Sequence, residues 1–166
     1  MVKGVACLFK VGDKVVYPMH GAGVIESIEK QEVLGETHEY YIMHLPVGEL
    51  KVMIPRSNVE KIGLRQVISE EGLDEALALA CEAAVDTGES WNRRFRANLD
   101  KIKGGDVVDI AHVVRDLMVR EREKGLSTGE RKMLEQAKQI LVSEMILSKE
   151  IDAHEANRLV DELGED

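Results

Sequence analysis

Near residue 65 the apolar pattern of this chain changes period, from two to about 3.6, and that change limits the folds open to it. Before it, Leu50-Lys51-Val52-Met53-Ile54 alternates cleanly. Asp13–Tyr17 and Glu39–Leu45 are rich in the β-branched and aromatic residues that suit strands. Turn-forming groups separate these runs: Gly12-Asp13, His20-Gly21-Ala22-Gly23, Leu34-Gly35-Glu36, Pro46-Val47-Gly48 and Pro55-Arg56-Ser57-Asn58. Four or five short strands in so little chain predict a small, strongly bent all-β barrel of the SH3 or Tudor kind.

Beyond Gln66 the spacing is helical. Leu73, Leu77, Ala80, Cys81 and Ala84 mark a first helix ending near Thr87-Gly88, with Cys81 on its core face. A second opens at Trp91 and stops at Gly104-Gly105. A third is capped by Asp106, carries Val107, Ile110, Ala111, Val114, Leu117 and Met118 on one face, and ends at Gly125. Ser127-Thr128-Gly129-Glu130 is a capping box for a fourth, whose apolar positions are Met133, Leu134, Ala137, Ile140, Leu141 and Met145. Asp152 caps a fifth, bearing Ala156, Leu159, Val160 and Leu163. Short connections between them predict a compact all-α domain. The expected division is a short extension (1–8), a β domain (9–65) and a helical domain (66–166), with no long linker between them.

Charge is divided as sharply as period. Residues 1–65 hold eight Lys+Arg and eight Asp+Glu, leaving 14 cations and 23 anions in the rest, which therefore carries the whole net charge of −9. Within that acidic part, Trp91-Asn92-Arg93-Arg94-Phe95-Arg96-Ala97-Asn98-Leu99-Asp100-Lys101-Ile102-Lys103 carries five cations, one anion and the only tryptophan of the chain. Cations beside a large flat ring suit nucleic acid: charge for phosphates, an apolar wedge for bases. Trp91, Phe95, Leu99 and Ile102 also fit a plain core stripe, so the segment alone supports either role. Arg94, Asn98 and Lys101 share one flank of this helix, with Arg96 and Lys103 opposite, and of the cations Arg93 and Arg94 rank above Lys103. In a chain this acidic, contact with DNA must be focused on one face or assisted by a partner.

Other chemistry is weakly indicated. Gly21-Ala22-Gly23 lacks the third glycine and following helix of a dinucleotide fingerprint, and reads as a turn between strands. His38 and His44 have no partner pair of metal ligands, and His154-Glu155 lacks the second histidine of a zinc-protease helix. Cys7 and Cys81 stand far apart, with no zinc or disulfide spacing. Glu121, Glu123 and Glu130 interleave with Arg120, Arg122, Lys124 and Arg131 as on a solvated helix surface. No nucleophile, cofactor site or metal site emerges, so a non-enzymatic binding protein is expected. No run approaches the ~18–20 apolar residues of a membrane span, and the expected location is the cytoplasm.

Two blocks together resemble a known family. Phe9-Lys10-Val11-Gly12-Asp13-Lys14-Val15-Val16-Tyr17-Pro18-Met19-His20-Gly21-Ala22-Gly23 resembles the opening of the CarD/CdnL transcription regulators of bacteria, and is similar to the polymerase-interacting module of the transcription-repair coupling factor. The Trp91–Leu99 run, Val113–Leu117 and Gly125–Leu134 resemble that family's helical signature. The resemblance implies a non-enzymatic factor whose Tudor-like domain binds the RNA polymerase β subunit; a monomer is expected. It implies a helical domain reaching promoter DNA at the upstream edge of the bubble, largely without regard to sequence. It makes Trp91 a minor-groove wedge that stabilises the open complex, with Arg93, Arg94, Arg96, Asn98 and Lys101 beside it on DNA. It makes Gln31, Val33, Lys51 and Met53 the polymerase-facing positions, although Gln31 and Met53 replace arginines found in some relatives. Tethering by polymerase would let an acidic protein work on DNA with weak intrinsic affinity. Two other functions fit the residues: an interaction adaptor whose helices only scaffold, and an RNA- or ribosome-associated factor.

Overall fold

In a computed structural model, described over residues 9–83 and 90–165, a five-stranded antiparallel sheet precedes a group of helices. The strands are β1 (Lys14–Tyr17), β2 (Gly21–Val33), β3 (Glu36–Leu45), β4 (Leu50–Pro55) and β5 (Arg65–Gln66), in the order β4-β3-β2-β1-β5. A single helical turn, α1 (Val59–Ile62), leads into β5. The longer helices are α2 (Glu70–Glu82), α3 (Trp91–Gly104), α4 (Val107–Lys124), α5 (Thr128–Lys149) and α6 (Ala153–Asp161). The expected class, a small all-β module followed by an all-α one, is the class observed. The division expected after residue 65 falls within β5, whose two residues pair with Val16 and Val15.

Not every strand is short. β2 and β3 form a long hairpin closed by Leu34-Gly35, both at positive φ (52° and 80°), the mirror-type turn that matches strand twist. Only its base is buried: Ile25, Tyr41, Met43 and Leu45 join Val15, Ile54, Val59 and Leu64 in one core, while the outer half stands in solvent. Gly21-Ala22-Gly23 is not the turn it was expected to be. These residues begin β2, after a turn at 18–20. A Cβ on Gly23 would lie 2.3 Å from the His44 carbonyl oxygen of β3, so glycine here permits a close backbone approach.

Among the described residues the helical core has 21 buried ones, including each apolar position expected for α5. Cys81, expected in that core, is exposed. The buried stripe of α2 runs through Leu73, Ala76 and Ala80, and Cys81 lies a further 100° round the helix, with Ala84 and Thr87-Gly88 outside the described residues. α5 carries the capping box read from the sequence, with the Ser127 hydroxyl accepting from the Glu130 amide at 3.2 Å.

Sheet and helices pack directly on each other. Val16 and Ala22 are fully buried, and the Ala22 amide donates to Ser143 Oγ of α5 at 2.8 Å. Arg65 grips the Glu144 carboxylate with both terminal nitrogens, at 2.8 and 2.7 Å, and donates from Nε and Nη2 to the Gly105 carbonyl. The same carboxylate accepts from the Ile68 amide, and Ser148 Oγ donates to the Ile68 carbonyl. Glu144 is 1% exposed, so its charge is neutralised by a residue of β5.

Candidate nucleic-acid interface

Ser90 caps α3, accepting from the Arg93 amide at 3.4 Å, and Trp91 is the first helical residue. A side chain in a first turn has no preceding turn to pack on, so it projects unless another element receives it. Here the N-terminus of α5 receives it in part. The Trp91 ring stacks on Phe95 with centroids 4.9 Å apart and planes 19° from parallel. Its indole N–H donates to Ser127 Oγ and Glu130 Oε1, each at 3.1 Å. Gly129 lies against both rings: a Cβ there would stand 3.4 Å from Phe95 and 3.8 Å from Trp91. Trp91 remains 43% exposed. It is neither wholly buried nor free, but an anchored and partly exposed ring.

Glu130 is the anchor. Expected on a solvated surface, it is instead a buried carboxylate, 2% exposed. Its Oε2 accepts from Arg94 Nε at 3.1 Å, with Arg120 Nε 3.9 Å away. Burial alone would raise the Glu130 pKa, but bonds and charge from Arg94, with bonds from Ser127, outweigh it and hold the carboxyl below its ordinary value. A sequence shows the capping box but not the ring, because the indole comes from 36 to 39 positions away.

The cations sort differently from the sequence expectation. Asn98 is 4% exposed, Arg94 is bound to Glu130, and Lys101 Nζ lies 2.9 Å from His112 Nδ1. These three do share a flank, but α3 turns that flank inward beside Ile102, so Asn98, Arg94 and Lys101 are not open surface groups as expected. Arg93, Arg96 and Lys103 are exposed, and Asn92, Arg93, Arg96, Ala97 and Asp100 line one shallow concavity. Lys103, expected to rank below Arg93 and Arg94, is exposed, whereas Arg94 is not.

The four positions expected to face polymerase share one sheet face, Gln31 and Val33 in the outer half of the β2–β3 hairpin and Lys51 and Met53 beside its base. Strand alternation and the pairings Gln31↔His38, Ile42↔Met53 and His44↔Lys51 put Gln31, Val33, Lys51 and Met53 on the sheet face opposite Tyr41, Met43 and Ile54. All four are exposed, with Lys51 Nζ 3.2 Å from Glu26. α5 packs on the β1–β2 end of this face, with Ser143 against Ala22. His38 and His44 contact Glu36 and Glu49, and among the described residues no three His, Cys, Asp or Glu side chains gather as a metal requires.

A model of the CarD-like/TRCF RID domain matches residues 9–68, and one of the CarD C-terminal domain matches residues 75–161. The chain belongs to the CarD family. That family is one of transcription-factor-like proteins and not of enzymes. "Putative transcription factor YdeB" of Bacillus subtilis (strain 168) is 40% identical over 144 residues, which is 87% of this chain and 94% of that protein. The solution structure of the 72-residue N-terminal domain of Myxococcus xanthus CarD is 34% identical, covering 35% of this chain and 77% of that one, with a TM-score of 0.31. The C-terminal match contains α3, the capping box and Glu130, so the anchored ring lies within the family's helical part.

Proposed function

We propose that this CarD-family protein is a cytoplasmic, non-enzymatic transcription regulator. It binds the RNA polymerase β subunit through its sheet and lengthens the life of the promoter open complex through Trp91. The observation that carries the reading is the half-exposed indole at the start of α3, beside the exposed Arg93 and Arg96. An apolar ring favours an unstacked base step over a closed one, and so favours melted DNA. The overall charge of −9 opposes free DNA binding, which makes delivery by polymerase part of the mechanism. The uncovered sheet face, with Gln31, Val33, Lys51 and Met53, supplies the docking surface. The experiment is a pull-down with a purified β-subunit fragment, followed by open-complex half-life with and without the protein. Binding with a longer half-life supports the reading. Binding without any effect on DNA makes the chain an adaptor, and co-purification with ribosomes in place of polymerase makes it a ribosome-associated factor.

Two further results are expected. Met53→Glu places a new anion on the apolar part of the docking face, and Lys51→Glu reverses a charge there. Each should weaken the β-subunit pull-down with circular dichroism unchanged, whereas full binding by both would move the interface off this face. On duplex DNA, contact through Arg93, Arg96 and Lys103 would give a log–log salt slope of roughly −3, since each neutralised phosphate contributes about −0.9. Arg93→Ala with Arg96→Ala should bring the slope toward −1, and a flat wild-type response would remove the DNA contact altogether.

A further inference from the structure

Trp91 has one polar atom, and the protein uses it. A tryptophan in the first turn of a helix, 43% exposed, would be free to change rotamer if only its base were packed. Here the ring is fixed at two separate points. Phe95 and Gly129 support its flat side, while Ser127 Oγ and Glu130 Oε1 take its N–H at 3.1 Å each. A capping box needs Glu130 only to reach back to the Ser127 amide, which it does at 3.4 Å. Its contacts to the indole and to Arg94 go beyond capping. Arg94 and Arg120 balance the buried charge, so an acceptor of full negative charge stands behind the ring.

We infer that Glu130 is a positioning residue for Trp91: with Ser127 it holds the indole N–H against the start of α5 and fixes the angle at which the exposed part of the ring meets DNA. The inference rests on the reading of Trp91 as a DNA wedge. It also gives that wedge a specific character. In the minor groove the acceptors are adenine N3 and thymine O2, and the only donor of the ring is already taken by Ser127 and Glu130. The held ring therefore acts through its apolar surface and reads no base. Arg94 belongs to the holder and not to the phosphate contacts.

The test uses the full chain and its single tryptophan. Time-resolved anisotropy should show added local ring motion in Glu130→Ala, and near wild-type behaviour in Glu130→Gln, whose amide oxygen still accepts. In the polymerase assay, Glu130→Ala should shorten the open-complex half-life by roughly three- to tenfold, the range of one hydrogen bond. Binding to polymerase should be unchanged. In a Trp91→Ala background the same substitution should shorten it no further. Should Glu130→Ala fold poorly, benzothienylalanine in place of Trp91 keeps the bicyclic shape, has sulfur where the N–H was, and leaves the capping box intact. It should give a comparable loss of half-life. An equal effect of Glu130→Ala with and without the indole would overturn the inference, and so would unchanged anisotropy. If Trp91→Ala itself leaves the half-life unaltered, the wedge reading fails, while anisotropy still decides whether Glu130 holds the ring.

Discussion

Arg65→Met is expected to destabilise the protein by about 3–5 kcal/mol, the usual consequence of leaving a buried charge without its partner. Glu144 is 1% exposed, and Arg65 supplies both of its charged hydrogen bonds at 2.7–2.8 Å. Without Arg65, only the Ile68 amide still donates to that carboxylate among the bonds described. The Gly105 carbonyl loses its donors too. Glu144→Leu added to Arg65→Met should recover most of the loss, leaving a residual of about 1–2 kcal/mol for the unsatisfied Ile68 amide and Gly105 carbonyl. Denaturant unfolding of the two single variants and the double one measures this as a coupling energy. If the three curves simply add, or if Arg65→Met costs less than about 1 kcal/mol, Glu144 has found water and the pair does not hold sheet to helices.

That pair also marks what a linear reading of the chain can reach. The period change placed strands before Leu64 and helices after Ser69, because alternation and 3.6-residue spacing are local properties. The same logic found Asp106, Asp152 and the Ser127 capping box. It missed Glu144, which sits on the buried face of α5 among Leu141 and Met145, because its partner is 79 residues away. It put Cys81 in the core because a stripe at helical spacing leaves one flank undecided, and packing of α2 on α4 decides it. For the candidate site, the wheel of α3 grouped Arg94, Asn98 and Lys101 correctly. Only the partners show that this flank faces inward: Glu130 on α5 and His112 on α4. Composition pointed to Trp91, and its place in the first helical turn together with the family resemblance favoured projection over burial. The residue is 43% exposed, but its N–H is bound to Ser127 and Glu130, partners that no local pattern reveals.

The consequence for Trp91→Ala is a split between stability and function. A core tryptophan of this size would cost about 3–5 kcal/mol on truncation. A ring standing wholly in water would cost less than about 1 kcal/mol. Trp91 loses one stacked partner and one donor to a charged acceptor, with 43% of its surface already in solvent, so about 1–2 kcal/mol is expected. Glu130 keeps Arg94 and its Ser127 contacts when the indole is gone, which limits the loss. The functional effect should be larger. On the proposed function, the gain in open-complex half-life should largely disappear, while binding to the β subunit through the proposed sheet face stays intact. Fluorescence of the wild type offers a check that needs no variant. A partly exposed ring stacked on Phe95 should be quenched by a small solute only partly, and less again once polymerase and forked promoter DNA are added. A strongly destabilised Ala variant with undiminished open-complex support would return Trp91 to a structural role, and would leave Arg93, Arg96 and Lys103 as an electrostatic surface without a wedge.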